Sequence, residues 1–426
     1  MGILNSLYIG ASGMTAHGGA ISIVGDNISN SSTIGYKRMR AEFSDVLGGT
    51  LDGHRLGGGV RLGGSDTRYD QGQIQQTGSS MDVAIRGKGF FLVKGEHDGR
   101  VASYYSRDGQ FHVDEGGYVV GTSGLRLQGY LVDSAGVQGT AATDMQIAGK
   151  QSPPQATTSA KLSLNLDSGA TVPPAWDPTN PQGTSSYATS ATVYDSLGTA
   201  HRVDVYMRAQ GNGGWEYHAM VDGGQLTGGT AGVPTEIASG SLTFNASGAL
   251  DTQTTGASSA SFIGATPNQA IDFNFGDPIA AGGTGVAGTT QYAGPSVTNA
   301  NNIDGHSAGK LVDVAVHDDG TLEGVFDNGE QRPLARIALA MFGSEDGLTR
   351  AGDGLFAETA ESGQPLVDVA GSGGRGGLSG GALEGSNVDL GEELVTLIAY
   401  QRAFQGNART VTTADEMLQE VSQLKR

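Results

Sequence analysis

Residues 389–404 read DLGEELVTLIAYQRAF, and apolar side chains recur in them every three or four positions. The repeat continues almost to residue 426, which predicts one helix from Asp389 to Leu424, about 54 Å long at 1.5 Å per residue. Asp389 can cap this helix, and two glutamates follow in its first turn, where acidic side chains favour the helix dipole. Helices of this length are usually coiled coils or membrane spans, and the charges exclude a span.

The beginning of the chain carries a similar heptad repeat. Its positions are Leu4, Leu7, Ala11, Met14, Gly18, Ile21, Gly25 and Ile28. The C-terminal positions are Leu390, Leu394, Leu397, Gln401, Phe404, Ala408 and Val411. We predict that helices at 1–30 and 385–426 form a coiled-coil seam for self-assembly, because two helices alone leave apolar surface bare that other copies of the chain would cover. The alternative is a two-helix cap on a single β domain.

The residues between the helices predict short strands and turns. Glycine makes up 71 of 426 residues, about 17% against about 7% on average, without the Gly-X-Y period of collagen. Hairpin turns are indicated at Asp195–Gly198, at Gly211–Gly214, and at the pairs Asp319-Gly320 and Asn328-Gly329. The predicted fold class is therefore mainly β with terminal α-helices and two β-rich domains.

Composition divides the middle of the chain. The range 149–296 is poorer in charge and is entered through the Pro-rich stretch QSPPQATTS, which predicts an outer β domain inserted in an inner one at 71–148 and 297–370. The ranges 31–70 and 371–384 are predicted to be connecting arms. The first arm is compatible with a hairpin or with disorder before assembly.

The second arm contains two patterns that resemble catalytic motifs. Residues 371–376 match G-x-G-x-x-G, and residues 377–381 match G-x-S-x-G. Both lack the strand–turn–helix context that these motifs need, so the stretch is interpreted as a flexible linker. Its glycines are the expected hinge: Gly371, Gly373, Gly374, Gly376 and Gly377.

Composition also excludes several classes of function. The net charge is −19 with no basic patch, which argues against nucleic-acid binding. The chain has no cysteine, its eight histidines are scattered, and no carboxylate pair stands out, so we expect no catalytic, cofactor or metal residues and no enzyme. No apolar run suits membrane insertion, and the N-terminus lacks the cationic region of a signal peptide.

Motifs at both ends resemble the bacterial flagellar rod and hook proteins, the axial family of the flagellum. In that family a helix ends in Asn-Ile-Ala-Asn, and Thr-x-Gly-Tyr or Thr-x-Gly-Phe follows. The matching residues are Asn27, Ile28, Asn30, Thr33, Gly35 and Tyr36, with Ser29 where alanine is usual. The C-terminal signature matches at Ser386, Asn387, Val388 and Asp389. The stretch ATVYDSLGTAHRVDVYM, 191–207, resembles the inserted domain of the hook members.

This resemblance implies a structural subunit of the flagellar hook, a curved tubular polymer that transmits motor torque from rod to filament as a flexible universal joint. It implies an extracellular protein that leaves the cell through the flagellar (type III) export apparatus without a cleaved signal peptide. The implied partners are other copies of the chain, the distal rod protein, the hook cap and the hook-filament junction proteins. The first alternative is a distal rod or other axial protein of the flagellum. A β-rich surface adhesin is the less favoured alternative.

Overall fold

The computed structural model describes residues 2–51, 54–133, 136–147 and 149–423. It contains two long helices, α1 (Gly2–Ser29) and α2 (Leu390–Gln423). Both predicted terminal helices are confirmed; Leu424, the predicted last residue, lies outside the described residues. Within those residues, neither helix is long and apolar enough to cross a membrane.

Short strands make up most of the remaining structure, which confirms the mainly β fold class. The first ten are β1 (Met39–Leu51), β2 (His54–Thr67), β3 (Ile74–Gln76), β4 (Val83–Arg86), β5 (Phe90–His97), β6 (Arg100–Ser106), β7 (Phe111–Val113), β8 (Val119–Gly121), β9 (Arg126–Leu131) and β10 (Thr143–Asp144). The next ten are β11 (Gln151–Ser152), β12 (Ser159–Asn165), β13 (Tyr187–Tyr194), β14 (Ala200–Gly211), β15 (Gly214–Asp222), β16 (Pro234–Phe244), β17 (Leu250–Ala260), β18 (Gln269–Ala270), β19 (Asp272–Asn274) and β20 (Val297–Ile303). The last eight are β21 (Gly309–Val316), β22 (Thr321–Phe326), β23 (Gln331–Met341), β24 (Thr349–Gly352), β25 (Leu355–Ala357), β26 (Leu366–Val369), β27 (Gly377–Gly380) and β28 (Ala382–Glu384). Short 3₁₀ helices lie at Gly223–Gln225, Ile279–Ala281 and Glu345–Gly347.

The chain divides into two compact units. The first comprises Met1–Gly149, Val312–Val325 and Gln331–Arg426, and the second comprises Lys150–Leu311 and Phe326–Glu330. The second unit ends later than the predicted outer domain, which stopped at residue 296. The reason is β20, which pairs antiparallel with β12 from Ala160–Ile303 to Asn165–Val297 and completes a sheet of the second unit.

In the first unit, a path of paired strands runs β22–β23–β9–β5–β6–β25–β24. Aromatic side chains fill part of its core, with Tyr105 edge-on to Phe342 at 4.7 Å and Phe90 beside Phe356 at 5.6 Å. These rings are nearly inaccessible to solvent and make the unit a rigid platform.

The prediction of a flexible linker at 371–384 is wrong for its second half. Strand β27 pairs with β4 and strand β28 pairs with β3, so both are built into the first unit. Leu378, Ala382 and Leu383 are buried. The glycines before them form a tight turn in which Gly371, Gly373 and Gly374 have positive φ, and the N–H of Gly376 donates to the carbonyl of Lys88 at 2.7 Å.

The arm at 31–70 contains a long antiparallel hairpin of β1 and β2. The hairpin packs against α1. The N–H of Val60 donates to the Ser12 hydroxyl at 3.3 Å, and a Cβ on Gly19 would lie 2.8 Å from Leu62 Cδ2. The hairpin therefore belongs to the same layer as the terminal helices.

The second unit is a β-structure with its own core. Strands β13 to β18 form a six-stranded antiparallel sheet in sequence order, and β19, β12 and β20 form a second sheet. The predicted turns at 195–198 and 211–214 are confirmed, since β13, β14 and β15 pair across them. Trp215, Tyr217 and Phe273 lie in the shared core.

Candidate functional site: the paired terminal helices and their junction with the β structure

Helices α1 and α2 pack closely because small residues lie between them. A Cβ on Gly10 would lie 2.8 Å from Val411 Cγ2, and a Cβ on Gly13 would lie 2.5 Å from the Asn407 side chain. Both distances are shorter than any normal carbon contact, so larger side chains at these positions would force the helices apart. The two ends of the chain are thus direct neighbours, as the paired repeats predicted.

An aromatic cluster joins the helix pair to the hairpin. His17 of α1 lies 5.2 Å from the ring of Phe43 in β1 and 5.9 Å from the ring of Tyr400 in α2, measured between ring centroids. Phe43 and Tyr400 are 5.8 Å apart, edge to face. Each element of this layer therefore contributes one ring to a common contact.

The covered face of α1 differs from its predicted seam. The buried residues are small or centrally placed: Gly10, Gly13, Ala16, Ala20, Val24 and Asn27. The predicted seam residues lie beside this face: Leu7, Ala11, Met14, Ile21 and Ile28 are half-buried, and Leu4 is 56% exposed. Within one subunit, most of the seam of α1 is thus only partly covered.

The predicted seam of α2 is split between a covered and an uncovered part. Leu397, Ala408 and Val411 are half-buried. Seven large apolar side chains of α2 remain open to solvent. Four of them we call the outer stripe: Leu390 (47% exposed), Leu394 (49%), Ile398 (49%) and Phe404 (38%); the others are Val395, Met417 and Val421. Ile398 was not among the predicted seam residues, although its spacing of four from Leu394 places it on the same side of the helix.

The start of α2 is capped as predicted. Asp389 Oδ1 accepts hydrogen bonds from the N–H groups of Gly391 at 2.8 Å and Glu392 at 3.2 Å. A carboxylate at this position satisfies two free donors of the first turn and interacts favourably with the helix dipole. The start of α2 is therefore fixed by the residue that precedes the helix.

The N-terminal signature residues form a junction where α1 ends. Asn27 is fully buried and exchanges two hydrogen bonds with the main chain of Met39. The Tyr36 hydroxyl donates to Asp26 Oδ2 at 3.0 Å, and the Arg350 guanidinium lies over the Tyr36 ring at 4.7 Å. Burial raises the pKa of Tyr36, although Arg350 opposes that shift.

The other N-terminal signature residues support this turn. Gly35 has φ of +68°, and a Cβ there would lie 2.6 Å from the Arg107 main chain, so only glycine fits. Thr33 donates through its hydroxyl to Asn30 Oδ1 at 3.1 Å, and Asn30 donates to the carbonyl of Asp26 at 3.0 Å.

The C-terminal signature meets the same junction. Asn387 Oδ1 accepts from the N–H of Arg38 at 2.7 Å, and its Nδ2 donates to the carbonyls of Arg68 at 2.8 Å and Asp70 at 3.1 Å. The Ser386 hydroxyl accepts from the N–H of Val388 at 3.3 Å. The two signatures, more than three hundred residues apart in the chain, are thus brought together.

A buried triad of charged side chains lies at the centre of the junction, and sequence reasoning missed it. Lys37 Nζ donates to Glu384 Oε1 at 2.6 Å, and Arg107 donates to Glu384 Oε2 at 3.1 Å. Lys37 and Glu384 are 0% exposed, and Arg107 is 2% exposed. Burial lowers the pKa of Lys37, against the opposing attraction of Glu384. No short motif links the three residues, which lie far apart in the chain.

Four protein-family models together match most of the chain. Residues 7–37 match the model described as flagella basal body rod protein, and residues 84–165 match the flagellar hook protein FlgE/F/G D1 domain. Residues 165–306 match the flagellar basal body protein FlaE D2 domain, and residues 379–424 match the flagellar basal body rod FlgEFG protein C-terminal model.

Curated relatives match over nearly their full length. The chain is 32% identical to the flagellar hook protein FlgE of Escherichia coli over 423 residues, 97% of this chain and 98% of that protein. It is 33% identical to FlgE of Salmonella typhimurium, with 97% and 98% covered, and 30% identical to FlgE of Borreliella burgdorferi, with 99% and 100% covered. Among solved structures, the Helicobacter pylori flagellar hook protein FlgE2 aligns with a TM-score of 0.44 and 13% identity over 71% of this chain and 98% of that one.

Proposed function

The chain belongs to the flagellar hook protein family and is a structural subunit rather than an enzyme, and we propose that it polymerises by joining its terminal helices to those of neighbouring copies. The observation that carries this proposal is the outer stripe of α2. Three of its side chains, Leu390, Leu394 and Ile398, repeat every four residues and are about half exposed. An apolar row of this length on a long helix is typical of a surface that another helix covers.

Covering the outer stripe would stabilise the polymer appreciably. Full burial of a leucine or isoleucine side chain is worth about 1.5–3 kcal/mol, so burying the remaining half is worth about 1 kcal/mol for each residue. The same gain recurs at every subunit.

A second copy of the chain also offers a matching surface. The partly covered seam of α1, which includes Leu4 and Leu7, is a different surface from the outer stripe of α2. A contact between two different surfaces is head-to-tail, and head-to-tail contacts that do not close produce helical filaments. We propose that the α1 seam of one copy contacts the outer stripe of the next.

The two β units would then form the wall of the tube and transmit motor torque, as a universal joint does. Densely packed cores such as the Tyr105–Phe342 cluster resist deformation, so bending must come from movements between packed parts. We also propose the finer assignments that the family resemblance implies. These are export without a cleaved signal peptide through the flagellar export apparatus, and contact with the distal rod protein, the hook cap and the hook-filament junction proteins.

Electron microscopy of the purified chain tests the helix contact. We expect hollow curved tubes from the wild-type chain and only dispersed subunits from Leu394→Asp, because that change puts a charge into the covered stripe. Ala399→Asp is the matched control, since Ala399 is exposed on another side of α2; it should still form tubes. Normal tubes from Leu394→Asp would contradict the proposal.

A further inference from the structure

The triad of Lys37, Arg107 and Glu384 makes a closely fitted set of hydrogen bonds. Besides the two cations, Glu384 Oε1 accepts from the N–H of Gly72 at 2.9 Å. Lys37 Nζ also donates to the carbonyl of Asp70 at 2.8 Å, and Arg107 donates to the carbonyl of Gly87 at 2.9 Å. The Arg107 guanidinium lies 5.2 Å from the centre of the Phe90 ring. Each charged group thus has a fixed direction as well as a partner.

Such an arrangement is a poor way to gain stability. Removing charges from water is costly, and replacing a buried ion network by apolar residues of similar volume is often neutral or stabilising. This triad also contains two basic groups for one carboxylate. Its value must therefore lie in the geometry that its hydrogen bonds specify.

The three residues come from three separate segments of the first unit. Lys37 lies between α1 and β1, and Glu384 is the last residue of β28, shortly before α2. Arg107 directly follows β6, a strand of the central sheet path. In addition, the carbonyl of Glu384 accepts from the N–H of Gly35 at 2.8 Å. One carboxylate therefore ties the end of α1 and the approach to α2 to the sheet of the first unit.

We propose that Lys37, Arg107 and Glu384 are positioning residues for assembly, which fix the angle between the helix pair and the sheet of the first unit and so set the geometry of the polymer. The proposal rests on the proposed function, because it matters only if the helices make the contacts between subunits. A small change in this angle is repeated at every subunit. It therefore alters the diameter or helical repeat of a tube even when the subunit itself is stable.

The test compares folding with assembly in the full-length chain. Glu384→Gln alone would leave two buried cations without a counter-charge and is expected to unfold the junction. The informative variant is the triple change Lys37→Met, Arg107→Met and Glu384→Met, which removes all three charges and keeps three long apolar side chains. We expect it to unfold at a temperature equal to or above that of the wild type.

Electron microscopy and sedimentation then measure the polymer. We expect the triple variant to form tubes of altered diameter or helical repeat, or to need a critical concentration about tenfold higher, as a loss of roughly 1.4 kcal/mol at the subunit contact would produce. Tubes with wild-type symmetry and critical concentration would overturn the proposal.

A second variant keeps the test decisive if the triple variant does not fold. Glu384→Asp retains all three charges and shortens the acceptor by one methylene group, so it should change the tube geometry in the same way; unchanged tubes would again overturn the proposal. Failure of the wild-type chain to form tubes would instead contradict the proposed function, so the two failures are distinguishable.

Discussion

The side chain of Asn27 and the main chain of Met39 form a reciprocal pair of hydrogen bonds. Asn27 Nδ2 donates to the Met39 carbonyl at 2.7 Å, and Asn27 Oδ1 accepts from the Met39 N–H at 2.8 Å. The amide group acts here like one residue of a neighbouring strand, and it fixes the first residue of β1 to the last turn of α1. Only a side chain with a donor and an acceptor on one planar group can do this.

We expect Asn27→Asp to lower the free energy of unfolding by about 2–3 kcal/mol, because it removes the donor and places a carboxylate in a fully buried position. Hydrogen exchange of the Met39 amide should become faster in the same variant. Asn302→Asp serves as the control, since Asn302 is exposed, and it should change the free energy by less than about 1 kcal/mol. Equal effects of the two changes would contradict the role assigned to Asn27.

The glycines expected to form a hinge should respond to alanine in two different ways. A Cβ on Gly376 would lie 2.4 Å from the carbonyl oxygen of Arg86, so Gly376→Ala should destabilise the first unit by about 2 kcal/mol or more. Gly374 has φ of +85° and no atom near the Cβ position, so Gly374→Ala should cost only about 1–2 kcal/mol. Thermal unfolding measures both. If neither change altered the unfolding temperature, a free linker would be supported instead of the ordered turn and the paired strand.

Sequence reasoning predicted the local features of this fold and missed those that depend on distant partners. The terminal helices and the hairpin turns follow from periodicity and from glycines at positive φ, such as Gly320 and Gly329. The strand at 377–380 reads GLSG, which has little strand propensity, and it forms by pairing with β4 and burying Leu378.

The candidate site shows the same division between local and distant information. The outer stripe was largely predictable, because Leu390, Leu394 and Phe404 follow a repeat. The covered face of α1 was not, since Gly10 and Gly13 contribute by lacking a side chain and leave no apolar signal. The triad could not be predicted from the sequence either, because Glu384 contacts Lys37 and Arg107 only in the folded chain.

The boundary of the second unit can be tested with fragments. A fragment of residues 150–311 includes β20 and should unfold in one cooperative transition. A fragment of residues 149–296 lacks β20, one of the two strands that pair with β12, and should unfold at a lower temperature or without cooperativity. Fluorescence reports on this unit alone, since both tryptophans, Trp176 and Trp215, lie within it. Identical transitions in the two fragments would show that β20 is dispensable.

Acid should weaken the second unit partly through Asp222. The N–H groups of Gly224 and Gly232 donate to Asp222 Oδ1 at 2.9 and 2.8 Å, and they hold the pKa of this carboxyl below its ordinary value of 3.8. The unfolded chain therefore binds the proton more readily, so this contribution to stability is present above pH 3.8 and is lost as the pH falls through the folded-state pKa.

Asp222→Asn should reduce the dependence of the unfolding temperature on pH below 3.8, measured by tryptophan fluorescence of the full-length chain. Asp251→Asn is the control, since Asp251 accepts no hydrogen bond from the residues that the structure describes, and it should keep the wild-type dependence. If the unfolding temperature of Asp222→Asn depended on pH as in the wild type, the Asp222 carboxylate would not contribute to the loss of stability in acid.

Because the terminal helices pack closely, glycines at different positions of α1 should respond to alanine in opposite ways. Gly25 has no atom within 4 Å of its Cβ position, so Gly25→Ala should stabilise α1 by about 1 kcal/mol through helix propensity alone. The same propensity gain applies to Gly10→Ala and Gly13→Ala, but their new methyl groups would meet Val411 and Asn407 at 2.8 and 2.5 Å. The double variant at Gly10 and Gly13 should therefore separate α1 from α2, while fluorescence of the second unit stays unchanged.

Hydrogen exchange along α2 distinguishes these outcomes. In the double variant, the amides around Val411 should lose protection, because an isolated helix in water opens readily without a packed neighbour. The single Gly25→Ala variant should keep that protection. If the double variant is instead as well protected as Gly25→Ala, the two helices tolerate a larger separation, and the glycines of α1 do not set the distance between the ends of the chain.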